Sequence, residues 1–263
     1  MIVFGYDGSL NGDWVAHYAI RFAANAALPL RVVHVEPKSP VAELEARLAR
    51  IEAEARQAGV AIEIEVVRDG AEVAGALAVR GERGTLVLGT RARPRNRSFL
   101  TDTVAARVLE RARGAVVAVH VVHPGLLGQP HRALVPFVGA DDSDPGPVLR
   151  LLGAELHAVH VLLVQPISVL GERFASSGRT ARSLEAARAR LVTLERRVHA
   201  ALVEPCELDG SAVLSADPPR DIRVAALAHR SRLVVLDAGL GNAQLEAVLA
   251  AAPADVAIKR APP

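Results

Sequence analysis

The 263 residues have room for two ordinary domains or one large one. Hydrophobic residues make up 51% and aromatics 3%, so a core must be built from Ala, Val, Leu and Ile, which suits helices over buried parallel strands and not an aromatic-rich β-sandwich. The formal net charge is +2 and the one cysteine is Cys206, which excludes a global field for nucleic acid, an internal disulfide and a cysteine-rich metal centre.

Lysine stands only at 38 and 259, so arginine supplies 29 of the 31 basic residues. No apolar run approaches the length of about 18 residues that a membrane span needs. The opening "MIVFGYD" enters a strand at once, so no signal peptide is expected and the compartment expected is the cytoplasm.

Residues 2–7 (IVFGYD) read as a short strand ended by Asp-Gly-Ser, and a helix follows from about Asp13 to Ala27, stopped by Pro29. "LRVVHVEP" (30–37) is a strand buried on both faces, because its apolar run hardly alternates. Val41, Leu44, Leu48, Ile51, Ala55 and Ala58 recur at helical spacing and form one stripe, closed by Gly59. "AIEIEVV" alternates and is expected near a sheet edge. A helix (71–82), a strand (85–90), a helix (102–113) and a strand (115–121) complete a βαβαβαβαβ run, which implies a parallel, doubly wound sheet.

The pattern then restarts. A linker (124–131) rich in Pro and Gly separates residues 1–123 from 132–263. "ALVPFVGADDS" aligns with "MIVFGYDGS", and "ELHAVHVLLVQP" with "PLRVVHVEP", setting His160 against His34. Leu184, Ala187, Leu191, Leu194, Val198 and Ala201 repeat the helical stripe, "SRLVVLDAG" matches "GTLVLGTRA", and "VLAAAPADVAIKR" matches "VLERARGAVVAVH". Five matches in one order indicate an internal duplication. The third strand of the second half is either 203–209 or 211–216, and the layout of 165–215 is open.

"IVFGYDGS", "LRVVHVEP" and "LVLGTRAR…TDTVAARVLERARGAVVAV" resemble, in this order, the universal stress protein family in its tandem two-domain form. The resemblance implies two open five-stranded sheets of strand order 3-2-1-4-5, packed as an intramolecular pseudo-dimer with the final strands (115–121 and 255–260) antiparallel. It implies a regulatory binding protein of the stress response, with ATP or a related adenine nucleotide as ligand of the first domain. Carried over residue by residue, Gly5, Asp7, Gly8 and Ser9 lie at the end of the first strand, with Asp7 beside adenine and ribose. Val35 would offer backbone hydrogen bonds to adenine. Gly89, Thr90, Arg91, Ala92 and Arg93 begin the phosphate loop, and Asp102, Thr103 and Val104 meet the phosphates at a helix N-terminus, where free N–H groups favour anions.

The family pattern is Gly, two residues, Gly, nine residues, Gly, then Ser or Thr. Here the spacing survives as Gly89, Ala92, Asp102 and Thr103, with Ala and Asp where the second and third glycines belong. A methyl at a left-handed position costs roughly 1–2 kcal/mol. Asp102 is a good N-cap that can take the N–H groups a phosphate would use, and at about 5 Å its charge repels a phosphate by roughly 3 kcal/mol at an effective dielectric near 20. Arg91, Arg93, Arg95 and Arg97, each at about 10 Å, return roughly 1–2 kcal/mol before screening. The effects are comparable, so charge leaves both an occupied loop and a nucleotide-free scaffold open.

In the second half Val138 replaces Asp7, Ala140 replaces Ser9, and about eight residues are missing, so "AGLGNA" stands for the whole loop. That half is expected to serve structure or an unidentified protein partner, through the 180–202 helix with its Arg188 and Arg196. Slow ATP hydrolysis is a further alternative, with Asp7 and Asp102 as the only candidate carboxylates. A homodimer also fits.

Other clusters have plainer readings. His34 and His160 read as a repeated core histidine, and Asp141, Asp142 and Asp144 as a turn or cap that only faintly resembles a phospho-receiver with Lys259. His120, His123 and His131 surround the linker without a carboxylate or cysteine at metal spacing. Cys206 is expected to be inert. The arginine loop, with one neighbouring aromatic (Phe99), is a weak nucleic-acid contact.

Overall fold

The computed structural model describes residues 1–36, 43–68, 72–90, 98–124, 130–167 and 177–261, with the backbone alone for 177–180. The first half contains β1 (Ile2–Tyr6), α1 (Leu10–Asn25), β2 (Leu30–Val35), α2 (Leu44–Gln57), β3 (Ile62–Val67), α3 (Val73–Gly81), β4 (Thr85–Gly89), α4 (Val104–Arg111) and β5 (Ala115–His120). The second contains β6 (Arg132–Val138), α5 (Gly146–Leu152), β7 (Ala158–Pro166), α6 (Ser177–Ala201), β8 (Glu207–Ser215), α7 (Pro218–Ala228), β9 (Leu233–Asp237), α8 (Asn242–Leu249) and β10 (Asp255–Arg260).

All these strands lie in one sheet of order β3-β2-β1-β4-β5-β10-β9-β6-β7-β8. Each half has the expected parallel order 3-2-1-4-5, and the halves join where β5 and β10 run antiparallel, with Ala118 opposite Ile258. The two five-stranded sheets are therefore continuous. Joining the two final strands pairs two edges that would otherwise present open N–H and C=O groups.

The strands alternate between two apolar layers. Ile2, Phe4, Val87 and Val117 face one layer with residues of α1, α2, α5 and α6; Val3, Val33, Leu86 and Leu88 face the other with residues of α3, α4, α7 and α8. Polar contacts clamp the halves. Asn25 Nδ2 donates to the carbonyls of Leu151 and Leu152, at 3.1 and 2.8 Å, and Arg21 pairs with Glu155. Asp255, buried at the junction, accepts from Tyr18 Oη at 2.5 Å and from the N–H groups of Val122 and His123 at 2.7 and 3.0 Å.

Four sequence expectations change. Helix α1 starts at Leu10, not Asp13, because Ser9 Oγ accepts the Gly12 N–H and caps it; Asp13 is instead buried against Tyr6 Oη, Arg47 and Arg50. Strand β8 runs through both stretches proposed for the third strand. His34 and His160 are not equivalent. His34 shares its face with Leu30 and Val32, whereas His160 shares its face with Leu162 and Val164, on the opposite side of the sheet. Since strand period is two, an odd offset in a sequence alignment moves a side chain to the other face. Helix α4 is capped by Thr103, whose Oγ1 accepts from the Ala106 N–H at 3.1 Å, and Asp102 is not the cap. Val41, from the first helical stripe, lies outside the described residues.

Candidate functional site

Strand β1 leads into α1 on one face of the sheet and β4 into α4 on the other, so the chain parts at the carboxyl ends of these adjacent strands. That crevice is where open α/β sheets bind ligands. It holds a cavity of about 230 Å³ whose lining includes Gly5, Asp7, Val35, Val73, Leu77, Leu88, Gly89 and Val104. Five residues of the sequence-derived set, from β1, its following turn, β2, β4 and α4, thus converge on one largely apolar space.

The local sequence explains the shape. Asp7 Oδ1 accepts from the Ser9 N–H at 2.9 Å and Ser9 Oγ at 2.6 Å, closing the turn, while Gly8 takes φ 74, a left-handed conformation that glycine adopts without steric cost. Asp7 itself is exposed at the cavity mouth. A Cβ on Gly89 would lie 2.7 Å from Asn11 Nδ2 and 3.2 Å from Val15 Cγ2, so glycine lets α1 pack closely against the strand end.

Thr90 is buried at 3% exposure, its N–H on the Val119 carbonyl and its Oγ1 donating to the Phe99 carbonyl at 2.7 Å. Its side chain ties the two ends of the 90–99 loop together. Arg91, Ala92, Arg93, Arg95 and Arg97 lie outside the described residues.

At the far end of the loop Asp102 is exposed with φ 55. It adopts the left-handed backbone of the position where the family pattern has glycine, a conformation Asp tolerates better than most residues. Thr103 follows, its Oγ1 donating to the Leu100 carbonyl at 3.0 Å while capping α4.

Sequence reasoning missed Glu246, on α8 of the second half. Its carboxylate accepts from Ser98 Oγ at 2.5 Å and from the N–H groups of Phe99 (2.9 Å), Leu100 (2.6 Å) and Thr101 (3.2 Å). Burial alone would raise its pKa, but the donors from Phe99, Ser98, Leu100 and Thr101 outweigh burial and hold the carboxyl below its ordinary value. No local motif marks this residue; it matters only because the β5–β10 pairing brings the two halves into one sheet.

The histidines sort differently from expectation. His160 Nδ1 meets Asp209 Oδ1 and its Nε2 meets Ser211 Oγ, both at 2.8 Å, and its ring stacks on His229 with centroids 3.4 Å apart and planes 19° apart. These three titratable groups are close enough to suggest a metal, but rings stacked face to face direct their in-plane lone pairs along separate planes and cannot both aim at one ion. The arrangement is a hydrogen-bonded stack, and burial followed by the neighbouring His160 charge lowers the His229 pKa, against the opposing pull of Asp209. His120 packs edge-on to Phe99, His123 Nε2 lies 3.0 Å from the Pro253 carbonyl, and His131 stacks on His157; among the described residues they form no metal group. Lys259 is buried against Asp237, Nζ to Oδ2 2.5 Å, instead of joining Asp141, Asp142 and Asp144. Asp142 pairs with Arg190 and Arg197 of α6.

No protein-family model matches the sequence, and no curated protein matches it either. Solved structures do. A universal stress protein from Archaeoglobus fulgidus DSM 4304 superposes with a TM-score of 0.61 at 15% identity, over 98% of this chain and 97% of that one. The fold is that of a tandem universal stress protein. A functionally unknown protein from Pseudomonas aeruginosa PAO1 gives 0.58 at 15% identity over 98% and 91%. The cytoplasmic domain of a prokaryotic cation chloride cotransporter gives 0.56 at 12% identity over 99% and 95%, so this fold serves more than one setting.

Within this tandem universal stress protein fold the two crevices differ. The chain takes 30 residues from Thr85 to its partner Ala115 on β5, but 22 from Leu233 to its partner Asp255 on β10, eight fewer. A short 3-10 turn (Ala238–Leu240) and Gly241 (φ 87) fill that interval, and Asp237 is occupied by Lys259 and the Gly239 N–H. A larger, open depression of about 610 Å³ lies nearby between α4 and the loops after β6 and β9, with Asp144, Asp237, Asn242 and Arg260 in its lining. Another, about 470 Å³, lies against α1 and α2. Both are more open than the cavity at the β1/β4 crevice, which is the more enclosed and lies at the topological switch point, and it remains the candidate site. Among the described residues no helix is long and apolar enough to cross a membrane.

Proposed function

We infer that this chain is a regulatory binding protein of the universal stress protein type, and that its first repeat (1–123) takes an adenine nucleotide at the β1/β4 crevice. The convergence of Gly5, Asp7, Val35, Gly89 and Val104 on one cavity at the switch point carries this reading. The volume, about 230 Å³, suits the base and part of the ribose; the phosphates would extend toward Thr103 and Val104, at the N-terminus of α4. Asp7, exposed at the mouth, stands on the side of the cavity where a ribose would lie. The second repeat (132–263), eight residues shorter across its loop, serves structure or a protein partner.

A nucleotide-free scaffold is the second reading, and a specific observation favours it: a carboxylate, Glu246, already sits on the backbone donors next to the phosphate end of the loop. Hydrolysis has less support, since Asp7 Oδ1 is engaged by Ser9 and Asp102 is set away from the cavity lining. The deciding experiment is to denature the purified protein and identify released nucleotide by mass spectrometry, with calorimetric titration of ATP and ADP into the emptied chain. Stoichiometric adenine nucleotide, lost in D7A, supports the first reading. An empty extract and no heat at millimolar ATP would replace it by the second.

A further inference from the structure

We propose that the Ser98–Thr101 turn is an anion-binding nest whose resident anion is Glu246 of the second repeat, and that a phosphate group can take the place of that carboxylate. Three consecutive backbone N–H groups and one hydroxyl converge on a single carboxylate, between 2.5 and 3.2 Å, the Thr101 N–H being shared with Ser98 Oγ at 2.9 Å. Successive N–H groups aimed at one point form a concavity that selects for negative charge and has no intrinsic preference for a carboxylate over a phosphate. The donors belong to the first half and the anion to the second, so the contact is at once a binding site and a latch between repeats.

Position gives the latch its consequence. The turn runs directly into Asp102, Thr103 and the first residue of α4, and its other end is anchored by the Thr90–Phe99 hydrogen bond. The carboxylate therefore fixes the segment that the nucleotide reading assigns to the phosphates, and it places a negative charge beside it. A phosphate bound there and the Glu246 carboxylate would oppose each other, by charge and by competition for the same N–H groups. By linkage, what weakens the carboxylate's hold strengthens phosphate binding, and phosphate binding loosens α8 from the loop. This last step rests on the nucleotide reading; the nest and its resident anion do not.

The test compares full-length wild type, E246Q and E246A by hydrogen exchange at neutral pH. The 98–104 amides should exchange about tenfold faster or more in E246A, and by a smaller factor in E246Q, which keeps an acceptor but loses the charge. Millimolar inorganic phosphate should restore protection of that segment in E246A and leave wild type unchanged. Unaltered exchange in E246A would overturn the latch, and faster exchange that phosphate does not slow would overturn the anion site. Should E246A fail to fold, E246Q with and without phosphate decides the anion site, and wild type decides the latch. After correction for intrinsic rates, protection of 98–104 should be lost on acidification through the depressed Glu246 pKa, and protection indifferent to pH overturns the proposal. An ATP arm keeps the two readings apart. If neither wild type nor E246Q binds ATP while phosphate still protects E246A, the nucleotide reading fails and the nest stands.

Discussion

Replacing Asp102 by glycine separates the backbone role of this position from its charge. The residue is exposed and left-handed (φ 55), and the cap of α4 is Thr103, so glycine at 102 leaves that cap in place. Glycine relieves a left-handed strain of roughly 1 kcal/mol, and its greater freedom in the unfolded chain returns about 0.4–1 kcal/mol, so stability should stay within about 1 kcal/mol of wild type. Affinity should respond more. A unit charge about 5 Å from a phosphate is repelled by roughly 3 kcal/mol at an effective dielectric near 20. For an exposed side chain, a screening length of about 8 Å at physiological salt roughly halves that. What remains, about 1.5 kcal/mol, is roughly a tenfold gain in affinity per unit of phosphate charge. Calorimetric titration of ATP into wild type and D102G at two salt concentrations measures it, with urea unfolding as the control. The gain should shrink at higher salt. An unchanged Kd, or a gain indifferent to salt, would refute the electrostatic reasoning, and a stability loss above about 2 kcal/mol would show that Asp102 has a structural role.

Three further outcomes are expected. Asp255→Ala strips a buried carboxylate from two N–H groups and the Tyr18 hydroxyl at the junction of the halves, and should cost about 3–5 kcal/mol in urea unfolding; a loss under about 1 kcal/mol would show the β5–β10 joint stands without it. Gly89→Ala turns the Asn11 amide aside and brings a methyl to 3.2 Å from Val15 Cγ2, so it should lose about 1 kcal/mol of stability irrespective of ligand, read by thermal melting; a loss above about 3 kcal/mol would show that the strand end cannot give. Burial lowers the His120 pKa from 6.5, so the unfolded chain takes up this proton first: stability is complete above about pH 6.5 and declines as pH falls below it. H120Q should flatten that part of a pH–stability curve, and an identical slope in the variant would assign the decline to other groups.

The fold was legible because its signals are redundant. The Leu48, Ile51 and Ala55 stripe, the unbroken apolar run of Leu30–Val35 and the repeat of both in the second half each point to helices on a parallel sheet, and the same residues form its core. That Gly5, Asp7 and Gly89 share one cavity was legible for a related reason: they stand near strand ends that topology alone brings together. What failed were features decided by geometry across the sheet. The alignment of His34 with His160 matched letters, yet an odd offset put them on opposite faces. Asp102 carries the composition of a cap, but Thr103, one residue on, has the extended backbone (φ −87, ψ 160) a cap needs. Glu246 lies about 150 residues from the turn it fills, and a single sequence offers no sign of that pairing.

The asymmetry between the halves gives a physical reason for joining them in one chain. In a dimer of identical subunits any residue introduced on the helix beside the symmetry axis appears twice, once over each loop. In a fused pair the two copies are free to differ. Aligning "VLERARGAVVAVH" with "VLAAAPADVAIKR" sets Ala106 of α4 against Glu246 of α8, so the carboxylate is present on one side only. It faces the one repeat that retains a loop of full length, since the other crosses the same interval with eight residues fewer. A charge at position 106 would have no corresponding turn of full length to meet, whereas at 246 it meets four donors. The shorter loop of the second repeat and the carboxylate on its helix are thus complementary differences between the halves. The half with the shorter loop holds the longer loop of its neighbour.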